Sequence, residues 1–424
     1  MRSVHGSFSR QIRKASTATL EVTLATLMVA TGASPASAAS AASAQVQTWG
    51  LNSSGQLGDA TTTARRTPVT AAGVITAGVT SVSAGAFHNL ALLSNGTVRA
   101  WGRNAEGQLG DGATLPDGNN LTPGTVVDLQ NIVAVAAGGN HSLALRSDGT
   151  VWAWGEDSAG QLGNGGANVD SSTPGQVIGP GGVGFLTNVV AIAADGTHSL
   201  ALRNDGTVWA WGDDSSGQLG DGGGTTGGSA PVQVVGTGGT GVLSGVQRIA
   251  AGGAHSLALL NDGTVRSWGY DGNGQLGDGG PNVNSTFPVT VLGTGGTGVL
   301  SGVQRIAAGS VHSLALLNDG TVRSWGSDGS GQLGNGGPNT DSPVPVQVVG
   351  TGGTGVLSGV FTIAAGGSHS LALASGQPVQ AWGDNSSGQL GNGSTTNSPF
   401  PVGIRTGVSG LTSISAGFSH SVAT

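Results

Sequence analysis

The chain contains no cysteine, which excludes disulfides, thiolate metal sites and thiol nucleophiles together. Its only lysine is Lys14. Beyond that position a P-loop lysine, a Schiff-base lysine and a lysine-rich nucleic-acid patch are excluded too. Charged residues make up 9% and aromatic residues 4% of the chain, too few charges for long exposed helices laced with ion pairs. What is abundant is glycine, 81 of 424 residues, and each Gly in a helix interior costs about 1 kcal/mol relative to Ala. No Gly recurs at every third position, so collagen is excluded, and 37% apolar residues with nine Trp exclude a disordered Gly-rich tract. An all-β protein with many tight turns remains.

Arg2, Arg10, Arg13 and Lys14 form a basic start, a mostly apolar stretch runs from about Ala18 to Ala33, and Ala36-Ser37-Ala38 is a small-x-small site. That tripartite pattern reads as a cleaved secretory signal over residues 1–38. Glu21 interrupts the apolar stretch and argues against a membrane anchor. The expected product is a secreted, extracellular, monomeric protein of residues 39–424. The formal charge of −7 becomes −10 over that range, from 21 acidic residues against 11 Arg. Such a balance argues against nucleic acid as a partner.

Internal repetition decides the architecture. A Trp-Gly pair occurs at Trp49, Trp101, Trp154, Trp211, Trp268, Trp325 and Trp382, with spacings of 52, 53, 57, 57, 57 and 57 residues. Six residues after each Trp begins Gly-Gln-Leu-Gly, from Gly55 to Gly388. A second marker, His followed mostly by Ser-Leu-Ala-Leu, occurs at His88, His141, His198, His255, His312, His369 and His420. Only His5 falls outside this series.

Each repeat reads as four short strands. In HSLALLNDGTVRSW, from His255, two alternating runs flank Asn261-Asp262-Gly263 as a hairpin. GVQRIAAG, ending at Gly252, is a third strand, and PVQVVG, from Pro231, is a fourth with Pro at its start. Four strands per repeat make one propeller blade. The N-terminal Gln45–Trp49 run lacks its His strand, and the C-terminal His420–Thr424 run lacks its Trp strand. A seven-bladed β-propeller, its closing blade shared between N- and C-terminal strands, removes the exposed edges. An open solenoid is the alternative.

Burying each Trp removes roughly 150–250 Å² from water, about 4 kcal/mol as an upper bound, which suits packing between blades. The Gly-Gln-Leu-Gly string suits a tight turn with Leu beneath it and the Gln amide bonded to loop backbone. The seven His are expected to tie their own loops by hydrogen bonds. Seven equivalent atoms around a ring lie too far apart to share one metal at about 2.0–2.1 Å. No metal and no cofactor is therefore expected. Asp213-Asp214-Ser215-Ser216-Gly217 and Asp271-Gly272-Asn273-Gly274 look like calcium loops but lack the closing bidentate Glu. Asp157, Asp214 and Asp271 are repeat equivalents and read as turn stabilisers.

The combination of AAGGAHSLALLNDGTVRSWG and GQLGDGG resembles the repeat of the regulator of chromosome condensation family, across essentially all of residues 39–424. This resemblance implies a seven-bladed propeller that acts as a protein-binding platform. The founding activity of that family, nucleotide exchange on the Ran GTPase at chromatin, is not expected of an exported, acidic chain. Propeller-type β-lactamase inhibitors of secreting bacteria are similar in export signal and repeat markers, although their binding face is rich in aromatics. That likeness implies a face of loops binding an extracellular enzyme.

Comparison of the internal copies finds the variable positions. Residues 236–268 and 293–325 differ only at Gly253-Ala254 against Ser310-Val311, just before the His. The residue after each Trp-Gly varies as well. Phe87, Arg103, Asn140, Glu156, Tyr270, Val311 and Phe418 are the candidate binding residues, because aromatics and Arg dominate hot spots. Trp152 and Trp209 read as core. Asp195 stands where the other copies have Gly, and reads as a tolerated turn variant. No catalytic residue is singled out, since every His of residues 39–424 is a repeat member and Asp157, Asp214 and Asp271 sit at equivalent positions. The expected function is a secreted, non-enzymatic, inhibitor-like scaffold with an extracellular protein partner. A secreted carbohydrate- or cell-wall-acting enzyme or lectin is the alternative.

Overall fold

The computed structural model describes residues 45–73, 78–113, 118–405 and 410–424. The expected signal segment, residues 1–38, lies outside the described residues. Four-stranded antiparallel sheets form, seven in number, and each is one blade. Blade 4 shows the pattern: Val246–Ala251 is innermost, followed outward by His255–Leu260, Val265–Gly269 and Ser285–Thr290. Blades 1, 2, 3, 5 and 6 repeat it with innermost strands Val79–Ala84, Ile132–Ala137, Val189–Asp195, Val303–Ala308 and Val360–Ala365.

Blade 7 is built from both termini. Its order, from the outside inward, is Arg65–Thr70, Gln47–Gly50, His420–Ala423 and Ile414–Ala416. Trp49 is paired with Ser421 and Gly50 with His420, the register that Trp268 and Gly269 make with Ser256 and His255 in blade 4. The innermost strands contact one another in an unbroken cycle that returns from blade 7 to blade 1. The ring is closed, and the open solenoid is excluded.

The core does not lie in the middle of the ring but between its blades. Seven clusters of buried side chains each span one junction. The closing junctions are filled like the others, with Trp49 against Leu371 and Leu373, and Trp101 against Val46 and Val422. Trp152 and Trp209 are half-buried and pack against two of these clusters.

The hairpin loop at Asn261-Asp262-Gly263 forms as the sequence suggests, with Gly263 at φ +78°, where an L side chain is strained. The outer strand differs from expectation. Pro231 is not its first residue but lies inside Gly228–Gln233. It is tolerated because this strand is the blade's outer edge and its pairing is irregular between Ala210 and Gly212. The Gly-rich connectors contain the short 3₁₀ turns Pro180–Gly182, Thr294–Gly296 and Thr351–Gly353. No helix among the described residues is long and apolar enough to cross a membrane.

Candidate functional site: the loop rim at one end of the ring

The rim is held by a hydrogen-bond relay that recurs at every junction. Each marker Trp is fully buried and donates its indole N–H to the Gln carbonyl of the Gly-Gln-Leu-Gly turn in the preceding blade. Trp268 thus donates to Gln218 at 2.9 Å, and Trp49 closes the ring on Gln389 at 2.8 Å. The same carbonyl accepts the hydroxyl of the Ser that follows His, as from Ser256 to Gln218 at 2.9 Å. That Ser Oγ also meets the His Nε2 of the preceding blade, as His198 does Ser256 at 2.9 Å.

The protonation state follows from donor counting. A Ser hydroxyl has one proton, which it donates to the carbonyl, so its oxygen accepts from Nε2–H and each His is the neutral Nε2–H tautomer. At the last junction Asn89 replaces Ser: His420 Nε2 donates to its Oδ1 at 2.9 Å, while its Nδ2 donates to the Gln56 carbonyl at 2.7 Å. The seven His therefore tie neighbouring blades together, rather than their own loops as the sequence suggested. Their Nδ1 atoms are buried without partners, and burial pushes the imidazoles down to about 3 for five of them and about 4 for His88 and His198. Ser313→Ala leaves His255 Nε2–H buried without an acceptor. A loss of about 1–3 kcal/mol is expected, read as a lower denaturation midpoint with an unchanged m-value.

The turns are closed in a second way that the sequence anticipated. The residue three places before the first Gly of each Gly-Gln-Leu-Gly string, such as Asp271 or Asn52, accepts the N–H of the buried Leu, from Leu276 at 2.9 Å and Leu57 at 2.9 Å. Each Gln Oε1 accepts an N–H two residues earlier, Gln275 from Asn273 at 2.9 Å. Burial raises Asp214, Asp271 and Asp328 to about 6. Among the described residues, no group of three or more His, Cys, Asp or Glu is placed to hold a metal ion.

On this frame the candidate residues converge on one end of the ring. In every blade the N–H after Trp-Gly donates to the C=O just before His. The pairs include Arg103 with Phe87, Glu156 with Asn140, Tyr270 with Ala254 and Ser327 with Val311. Two positions far apart in sequence thus become one spot per blade. Asn140 Nδ2 also donates to Glu156 Oε2 at 3.2 Å. Arg103 is bound by Glu106 at 2.6 Å. Phe87 and Phe418 meet across the junction of blades 7 and 1, ring centroids 6.1 Å apart, and Phe418 is half exposed at 51%. These two are the aromatic pair of the rim.

The two ends of the ring differ in charge, and the excess of carboxylates lies at the rim end. The loops of the rim end carry Asp59, Glu106, Asp111, Glu156, Asp170, Asp213, Asp221, Asp278, Asp341 and Asp384 against Arg65, Arg66 and Arg103. Two of those Arg are already paired, Arg65 with Asp59 at 2.7 Å and Arg103 with Glu106. The hairpin end carries Arg99, Arg146, Arg203, Arg266 and Arg323 against Asp128, Asp148, Asp205, Asp262 and Asp319, with Arg146 paired to Asp148 at 2.6 Å. Net charge alone hides this polarity.

The central channel is lined by Ala, Ile, Val and Ser of the innermost strands and by one carboxylate, Asp195. Burial raises it to about 6 against one hydrogen bond from the Gly196 N–H. Asp195 fits where the other copies need Gly because the strand runs one residue further, pairing Asp195 with His198 across a Gly196-Thr197 turn with Gly196 at φ +43°. It is a turn variant that also changes the channel wall.

Comparison with known proteins supplies the lineage. Models of the RCC1-like domain match residues 180–424, and those of the regulator of chromosome condensation (RCC1) repeat match residues 44–92, 95–145 and 148–202. The ultraviolet-B receptor UVR8 of Arabidopsis thaliana is 32% identical over 81% of this chain and 73% of its own length. The human E3 ubiquitin-protein ligase HERC2 is 33% identical over 89% of this chain, which spans only 8% of that protein. Yeast RCC1 (Prp20), solved bound to Kap60, superimposes with a TM-score of 0.75 at 26% identity, covering 89% of this chain and 88% of that one. A second structure, of Prp20p from Saccharomyces cerevisiae, was described with its binding to Gsp1p and histones.

These relatives overturn the secreted, inhibitor-like scaffold, and they give no support to the bacterial inhibitor branch of the resemblance. The dismissal of nucleotide exchange falls with it, because it rested on the leader and on net charge, neither of which describes the surface of the ring. Repeat, fold and relatives agree, and the chain belongs to the regulator of chromosome condensation (RCC1) repeat family.

Proposed function

We propose that this propeller is a regulatory docking protein whose acidic rim receives a basic surface of a protein partner. The observation that carries the reading is the collection of carboxylates at the end where variable side chains sit two per blade on an otherwise repeated frame. A rigid scaffold presenting variable positions on one rim is the usual arrangement for recognition. Complementary charge sets partner choice and on-rate, while the exposed Phe418, against the half-buried Phe87, supplies an apolar anchor. By likeness to Prp20p, a Gsp1p-type small GTPase and histones are the first partners to test. On this reading the propeller acts through what it binds, and any exchange of nucleotide would occur on the partner.

Binding of each partner to immobilised protein, with and without added salt, tests the proposal. Glu156→Lys with Asp221→Lys is expected to weaken binding tenfold or more, and Phe418→Ala to weaken it similarly. Arg99→Glu at the other end leaves it unchanged. Binding that is indifferent to the charge reversal, or no binding to either partner, sinks the docking reading. Release of a fluorescent guanine nucleotide from the GTPase, read in the same samples, shows whether docking carries exchange.

A further inference from the structure

The innermost strands of blades 4 and 5 are the same sequence, VQRIAA, and place Arg248 and Arg305 at one register on adjacent strands. The other five blades hold Ser81, Ala134, Ala191, Thr362 and Ser413 there. The fold therefore does not need a cation at this position. Both guanidiniums are half-buried, neither is in an ion pair among the described residues, and Arg248 Nε is enclosed without a hydrogen-bond partner. They share a cleft at the hairpin end of the ring with Asn261 and Asn318. The one carboxylate on its wall, Asp262, is held by the Thr264 N–H and hydroxyl at 2.9 and 2.7 Å.

Two half-buried cations left side by side oppose folding. Burial lowers the affinity of both for their protons, and the charge of Arg248 adds to this at Arg305. In a chain with an excess of carboxylates, neutralisation by a nearby Asp or Glu would be the easy solution, yet the cleft offers only Asp262, whose Oδ1 is taken up by Thr264 and which forms no ion pair with either Arg. Guanidinium forks match the oxygens of a tetrahedral oxyanion in bidentate fashion. We infer that Arg248 and Arg305 form a binding site for a phosphoryl group, with the Asn261 and Asn318 amides as further donors. It lies at the end of the ring opposite the acidic rim and does not depend on what that rim binds.

Calorimetric titration of the full-length protein with inorganic phosphate, and then with a phosphoserine peptide, tests this. Wild-type protein is expected to bind phosphate, and Arg248→Ser with Arg305→Thr, which restores side chains other blades carry, to weaken binding tenfold or more while the melting midpoint does not fall. Arg323→Gln, outside the cleft, keeps wild-type affinity. Equal affinity for phosphate and peptide identifies the phosphoryl group alone as the ligand, and tighter peptide binding adds its chain to the same site. No heat with either probe, or phosphate binding untouched by the double substitution, overturns the site.

Discussion

Replacing Trp268 by Ala is expected to lower stability by about 3–5 kcal/mol, the range for emptying a buried aromatic site. Trp268 is fully buried between blades 3 and 4, where it packs against Leu200, Leu202, Val208 and Leu219. Gly220 lies so close that an added methyl group would come within 2.6 Å of the indole Cδ1, and its φ of +69° fixes the turn. Collapse into the vacated volume would need this turn to move. The substitution also strips one of two donors from the Gln218 carbonyl. Trp268→Phe keeps most of the packing and loses the donor, so it is expected to cost less than Ala. Trp209→Ala, at a half-buried site, should cost less than Trp268→Ala. Equilibrium denaturation in urea ranks the three, and an equal loss for Trp209 and Trp268 would contradict the role given to the marker residues.

The second large effect is a steep loss of stability on acidification between pH 6.5 and 4. Unfolded His titrates near 6.5, whereas the seven buried imidazoles are held down to about 3–4. A depressed folded-state value means stability that is complete above 6.5 and is lost as pH falls toward the folded value. Buried carboxyls work the other way. Asp195, Asp214, Asp271 and Asp328 are raised to about 6, so their contribution is present below the unfolded value near 3.8 and lost as pH rises through 6. Near pH 5 the His outnumber these Asp, and unfolding takes up about three protons net, a slope of about 4 kcal/mol per pH unit. Melting midpoints between pH 7 and 4.5 measure it. His369→Gln should reduce the proton uptake by about one, and a flat profile from 6.5 to 5 would show that the imidazoles are not held neutral.

Blade number and ring closure were legible because Trp-Gly, Gly-Gln-Leu-Gly and His recur in fixed order, and because each terminus holds half of what the other lacks. The turn chemistry of Gln275 and Asp271 was legible for the same reason, since its bonds close within a few residues. The His relay was not, because its acceptor is 58 residues away for His255 and belongs to the next blade. The Ser after His was visible in the sequence, but nothing in its spacing says which blade it serves. The polarity of charge was hidden in the same way: antiparallel strands send Asp213 and Arg203, ten residues apart, to opposite ends of the ring. The Arg248–Arg305 pair has a signal in the aligned copies, where five blades carry small neutral residues, and that signal is faint because it sits inside a strand rather than in a variable loop.

Hydrogen–deuterium exchange of the propeller alone and in complex with a Gsp1p-type GTPase or histones tests the docking rim most directly. Slowed exchange is expected in the loops around Phe87, Arg103, Asn140, Glu156, Asp213 and Phe418, with the hairpins at Asp148, Asp205, Asp262 and Asp319 unaffected. Protection confined to those hairpins, at the opposite end of the ring, would contradict it.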